Sequence, residues 1–319
     1  MIDSESGWKV RPLSPALGAE VIGPKVTRLK DDEVKELKKL LLEHLVIFMP
    51  DQFLSPEAHV ELGKRFGPLE GHPNLSSDAE LPQEIFELKA SKGGIADEWH
   101  TDLTFRSSPA IMSIMHIVEC PEFGGDTLWS STYAAYEQLS SPMKDLCEGL
   151  TALHDAHPHN QPDQMAIHPV VRLHPETQRR ALYVNQHFTR RIVELSAEES
   201  EAILKYLLGW ISQPKFSVRY RWRSGTVCIW DNRCTQHMVL NDFSGERIIQ
   251  RVTVTGDKVF GVDGKKYKPA LNSDRLSAQS RHDRQLFMHL KNEQPSSKKK
   301  KRLQPTIFFS IKFLNSSSV

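Results

Sequence analysis

Cysteine is scarce in this chain: the 319 residues contain four, Cys120, Cys147, Cys228 and Cys234. None forms a CxxC pair, so a zinc knuckle or a thioredoxin-type redox site is excluded. No apolar run approaches the roughly 18 residues that a membrane helix needs. The stretch MIDSESGWKVRPL places acids where a secretory signal has a basic head and an apolar segment. These absences give the expectation of a cytoplasmic protein, with no membrane partner and with reduced, buried thiols. Net charge is also nearly absent, because 41 Lys+Arg against 40 Asp+Glu leaves +1. That balance conceals an asymmetry. Residues 296–319 hold six cations and no acid, so the rest keeps 35 of the 41 cations against all 40 acids. The body is mildly acidic and offers no basic face to nucleic acid.

No internal repeat is present, and Gly and Pro are scattered rather than gathered at a mid-chain linker. One domain over residues 1–285 is expected, followed by a basic, disordered tail over 286–319. Within the tail, residues 298–302 resemble a nuclear-localisation signal and Ser317-Ser318-Val319 loosely matches a PDZ-ligand ending. Both patterns are short, and a disordered appendage is the preferred expectation. Composition is compatible with a homo-oligomer.

Short strands and helices alternate along the body. Asp31-Asp32 reads as a cap ahead of the stripe Val34, Leu37, Leu41 and Leu45. Val46-Ile47-Phe48-Met49 then reads as a buried strand. Ser55-Pro56 and Ser141-Pro142 each open a helix, and Ser196 with Glu199 forms a capping box. Further strands are expected at 110–118, 181–184, 226–230 and 251–255.

There are 14 histidines, so several fall near acids by chance. His100-Thr101-Asp102 differs in kind. In an extended chain alternate side chains share a face, so one imidazole and one carboxylate converge. A third ligand from elsewhere would complete a 2-His-1-carboxylate site with open metal positions. A hydrogen-bonded surface pair is the plainer alternative. His237 is the candidate third ligand, since it lies just beyond the apolar run ending at Trp230. Arg247 and Arg251 are four residues apart, and on a strand would point to one side. Such a pair suits carboxylate, phosphate or sulfonate, although a solvated strand face gives the same spacing.

Taken in order, WHTDLTF, GGDTLWSS, HPVVRLHP, WDNRCTQH and ERIIQRVTVTGD resemble the taurine dioxygenase (TauD/TfdA) family of Fe(II)- and 2-oxoglutarate-dependent dioxygenases, from about residue 10 to 260. The resemblance implies an α+β protein with a mainly β core, a double-stranded β-helix (jelly roll) flanked by helices. It implies His100, Asp102 and His237 as ligands of Fe(2+), with 2-oxoglutarate and O2 as co-substrates. Arg247 and Thr127 would meet the far carboxylate of 2-oxoglutarate. Arg251, His72 and Phe188 would contact a small anionic substrate. His154, His157, His159, His168 and His174 are expected to be structural. Leu75, Ala96 and Ala156 replace a tyrosine, an asparagine and an aromatic of taurine-specific members. They imply a roomier, more apolar pocket for an alkyl sulfonate, alkyl sulfate, aryloxy acid or other carboxylic acid. Two other classes share these residues, a non-catalytic 2-oxoglutarate-binding protein and a zinc hydrolase. The second is disfavoured by the want of an obvious general base.

Overall fold

The computed structural model describes residues 1–70, 81–92 and 96–262. His72, Leu75, the 285/286 domain boundary and the basic tail lie outside the described residues. The described part is mixed α/β, with β-sheet predominant. The largest sheet has eight strands. Its centre is Val46–Met49, Val227–Asp231, Met112–Glu119 and Ile248–Val254, paired antiparallel in that order, with Phe86–Lys89 at one edge. Among the described residues three further sheets have three strands each.

Val46-Ile47-Phe48-Met49 is continuously apolar because both sheet faces are covered. Ile47 and Met49 face outward, with Val227, Ile229, Val252 and Val254, toward Val34, Leu37 and Leu41 of the helix Asp31–His44. Val46 and Phe48 face inward with Cys228 and Trp230, against Trp129, Val218 and Tyr220 of the small sheet built on Thr127–Ser131. Strand alternation thus divides four consecutive residues between two cores.

Helix starts differ in detail from those expected. Asp31 begins its helix instead of capping it, and Asp31, Asp32 and Glu33 occupy the first turn, where carboxylates favour the positive end of the helix dipole. Ser55 caps Pro56–Lys64 as expected. Ser140, not Ser141, precedes Ser141–Glu148, so Pro142 stands one place deeper. Ser196 and Glu199 do form a capping box, opening Ala197–Ile211. The expected strand at 251–255 starts earlier, at Ile248, where Phe86–Lys89 and Met112–Glu119 both pair with it.

All four cysteines are free, and burial pushes the Cys228 and Cys234 thiols well up, away from any nucleophilic role. Among the described residues no helix is long and apolar enough to cross a membrane.

The core holds several neutral histidines. Burial lowers His59, His116 and His168 to about 4, against an ordinary 6.5. The sign follows from proton counting: below 6.5 the unfolded chain binds protons that these buried rings refuse. Stability should be full above pH 6.5, fall as the pH drops from 6.5 toward 4, and level off below. Urea midpoints at pH 7 and pH 5 check this. A loss on the order of 1 kcal/mol or more per ring is expected at pH 5, and equal midpoints would contradict it.

Candidate active site

Two backbone segments meet where the candidate ligands lie. His100 donates its N–H to the His237 carbonyl at 3.0 Å, and His237 returns the bond at 2.8 Å. This isolated antiparallel bridge holds His100 against the strand Thr235–Val239. Thr101 Oγ1 donates to the Thr235 carbonyl at 2.8 Å and fastens the next residue too. The chain then turns, with Leu103 in the left-handed region at φ 57°. Asp102 therefore converges with His100 through a turn and not, as alternation predicts, along a strand. His100 Nε2 lies 3.8 Å from Asp102 Oδ1. Ligand atoms of His100, Asp102 and His237 all lie within 4.8 Å of one another, and all three residues are buried.

The protonation states suit a cation. Burial lowers both imidazoles below their ordinary value, His237 well below, so both rings are neutral. The Glu98 carbonyl accepts from His100 Nδ1 at 2.7 Å. A carbonyl can only accept, so the proton is on Nδ1 and the Nε2 lone pair faces the cluster. Burial alone would raise Asp102, but Arg251 beside it and the Ser113 hydroxyl hold it well below the usual carboxylate range. Ser113 Oγ donates to Asp102 Oδ2 at 2.7 Å, and Asn232 Nδ2 donates to Ser113 Oγ at 2.9 Å. Trp230 Nε1 in turn donates to Asn232 Oδ1 at 2.9 Å. Sequence reading missed this chain of bonds, although Asn232 stands inside the WDN motif. The donor set fits a divalent metal ion with open positions better than a closed structural site.

The second cluster, His174, Asp231 and Cys234, is not equivalent. Asp231 accepts from Arg233 Nε at 2.9 Å and Nη2 at 2.7 Å, and lies 3.1 Å from His174 Nε2. His174 Nδ1 accepts two backbone N–H groups. These groups satisfy one another as a buried ion pair, and His174 is structural as expected. So are His154 and His168, bonded to Thr104.

Arg247 and Arg251 share the inner face of their strand with Ile249, while Val252 and Val254 face outward. The extra residue of the irregular pairing between Ile248 and Ile249 belongs to the neighbouring strand, and the two guanidiniums go to different partners. Arg247 Nε donates to the Gly125 carbonyl at 3.1 Å and Nη2 approaches Thr127 Oγ1 at 3.4 Å. Gly124 and Gly125 both have positive φ, and a Cβ at Gly125 would come within 3.2 Å of the Arg247 side chain. Arg247 is buried, and among the described residues it has no carboxylate partner. Burial lowers it to about 10, yet a guanidinium stays charged there. Thr127 is the register partner of Val239, two residues beyond His237. At about 3.3 Å per residue, the Thr127–Arg247 corner lies about 7 Å along the strand from the level of His237.

Arg251 Nη1 donates to Asp102 Oδ1 at 2.6 Å, while its Nε is buried without a partner and its guanidinium stacks 4.9 Å from the Phe86 ring centre. Phe188 is buried with Leu103, Phe105, Ala110 and Ala156 in a small cluster beside the turn at Asp102. The His159 ring lies against Phe105 and Phe188 at the edge of this cluster.

A buried 2-His-1-carboxylate cluster on a mainly β scaffold, with an unpaired arginine a short step away, defines a candidate mononuclear metal enzyme. The model of the "Taurine catabolism dioxygenase TauD, TfdA family" matches residues 9–253, and the chain belongs to that family of dioxygenases. It is 34% identical to an alkylsulfatase of Acinetobacter baylyi, over 85% of this chain and 92% of that protein. It is 33% identical to an alpha-ketoglutarate-dependent sulfate ester dioxygenase of Pseudomonas putida, over 80% of this chain and 92% of that one. A taurine dioxygenase structure from Burkholderia xenovorans superimposes with a TM-score of 0.74 at 36% identity, covering 81% of this chain and 94% of that one.

Removing the hydroxyl that steadies Asp102 should weaken metal binding. Ser113→Ala is expected to lower Mn(II) affinity by about tenfold, measured by equilibrium titration; unchanged affinity would mean that the Asn232–Ser113 chain does not orient the ligand.

Proposed function

We propose that the chain is an Fe(II)- and 2-oxoglutarate-dependent dioxygenase that hydroxylates a small organic anion and releases succinate and CO2. The observation that carries this reading is Arg247, a buried cation with no carboxylate partner among the described residues, in the corner formed by Thr127 and Gly125. Leaving a charge buried and unpaired is costly, and a dicarboxylate spanning from the metal to this corner removes the cost. A zinc hydrolase using the same triad has no use for such a group.

His100, Asp102 and His237 would hold the iron, which when bound supplies oxygen activation coupled to decarboxylation of the 2-oxo acid. The protein's part is positional. Glu98 and Ser113 fix the ligands, and Arg247 with Thr127 grips the distal carboxylate of 2-oxoglutarate and selects its length. Arg251 holds the anionic group of the prime substrate through its remaining donors. Phe188 and the apolar residues around it wall the site and keep water out, so that the C–H bond faces the metal. The two sheet layers are read as a double-stranded β-helix. The sulfate ester and sulfonate dioxygenases among the relatives, and a phenoxypropionate dioxygenase at 30% identity, support a sulfonate, alkyl sulfate or aryloxy acid as substrate. Where the hydroxylated carbon bears the leaving group, C–O or C–S cleavage follows.

Succinate formation should require Fe(II) and fall to background in His100→Ala and Asp102→Ala. Arg247→Ala should raise KM for 2-oxoglutarate roughly 30-fold, the equivalent of one charge-assisted bond of about 2 kcal/mol. Succinate release that survives loss of either ligand would refute the triad.

A further inference from the structure

Two imidazoles beside the triad take no part in holding metal. His159 ends the turn His157–His159, which Asn160 closes in the left-handed region at φ 56°. His187 precedes Phe188 in the loop before the strand Thr189–Ile192. The His187 ring centre lies 5.8 Å from that of His100 and 5.9 Å from that of His159. Both rings stand nearly edge-on to Phe188, at 80° and 89°, and His159 also meets Phe105 at 5.7 Å. A file of rings therefore runs outward from a candidate ligand, over the Phe105–Phe188 pair.

The two supporting loops are tied together. Arg190 Nε donates to Asp155 Oδ1 at 2.6 Å, and the same oxygen accepts the His157 backbone N–H at 3.0 Å. Asn185 Oδ1 accepts the Phe188 N–H at 2.8 Å. The rings are thus presented from a fixed frame.

Hydrogen-bond accounting leaves donors and acceptors over. Glu98 Oε2 lies 2.7 Å from His187 Nδ1; an ionised carboxylate only accepts, so Nδ1 carries the proton. Among the described residues no hydrogen bond reaches His187 Nε2 or either nitrogen of His159. Burial lowers the basicity of His159, and the Arg251 charge lowers it further, while Asp102 opposes them. His159 is therefore within electrostatic reach of the triad and of Arg251.

We propose that His159 and His187 form a polar subsite for the end of the prime substrate remote from its anionic group, so that the preferred substrates are organic anions carrying a second hydrogen-bonding group such as a hydroxyl. This inference rests on the dioxygenase reading and on Arg251 as the anion's anchor. It modifies the apolar pocket expected from Leu75, Ala96 and Ala156. Ala156 does lie in the apolar cluster with Phe188, but the imidazoles stand at that cluster's edge and supply the polar contacts that smaller side chains cannot.

The test compares kcat/KM for butane-1-sulfonate and 4-hydroxybutane-1-sulfonate, with their propyl to hexyl homologues, in substrate-stimulated succinate release by the Fe(II)-loaded full chain. The wild type should favour the hydroxylated member at the best-fitting length by at least tenfold. His159→Phe and His187→Phe keep a ring and delete the nitrogens; each should erase most of that preference by raising KM for the hydroxylated compound. His159→Gln and His187→Gln should restore part of it. The ratio is taken within one protein preparation, so partial misfolding cancels, and anaerobic equilibrium binding should give the same ranking. A wild type with no preference at any chain length, or a preference intact in both Phe variants, overturns the subsite while Fe(II)-dependent succinate formation persists. Absence of that succinate in the wild type would remove the dioxygenase reading and the subsite with it.

Discussion

The peptide groups of His100 and His237 exchange two hydrogen bonds, and the candidate metal centre hangs from that exchange. The residues are 137 positions apart in sequence, so loop closure opposes their meeting. What offsets it is the sheet framework. Thr235–Val239 is held by the strand Thr127–Ser131, and Asn232, just before it, reaches back to Ser113 on the central strand Met112–Glu119. The carboxylate of Asp102 is thereby tied to one sheet through Ser113, while the backbone of His237 is fixed to the other. Small shifts between the layers would separate the ligands, which explains why the residues supporting them are buried so completely.

Charge follows the same design. An acidic body can still take anions, because the cations that matter are internal and few. Arg251 offsets the buried Asp102, and Arg247 has no carboxylate partner among the described residues. The first interaction keeps a ligand ionised before any metal is present. The second leaves a buried positive charge where the proposed reading puts the far carboxylate of the co-substrate. The +1 of the whole chain conveys neither fact.

Much of this was legible in the sequence. Val46-Ile47-Phe48-Met49 announced a strand covered on both faces, and the capping residues Ser55 and Ser196 announced their helices. His100, Asp102 and His237 could be named together only from motif order, since His-x-Asp alone is weak. Alternation along a strand gave the right convergence of His100 and Asp102 for the wrong reason, because a turn at Leu103 does the work. It held for Arg247 and Arg251, because the extra residue of the irregular pairing between Ile248 and Ile249 lies on the neighbouring strand and leaves their own period of two intact. The file of His100, His187 and His159 rings was illegible for a different reason: it arises from two loops tied by Asp155 and Arg190, contacts that no local pattern encodes.

On the proposed reading the triad and the Thr127–Arg247 corner are two ends of one co-substrate site. The most direct test is anaerobic calorimetry of 2-oxoglutarate binding with and without Mn(II), with glutarate as the analogue lacking the 2-oxo group. 2-Oxoglutarate should bind tightly only when metal is present, and glutarate should bind weakly and indifferently to it. Equal 2-oxoglutarate affinity with and without metal would contradict it.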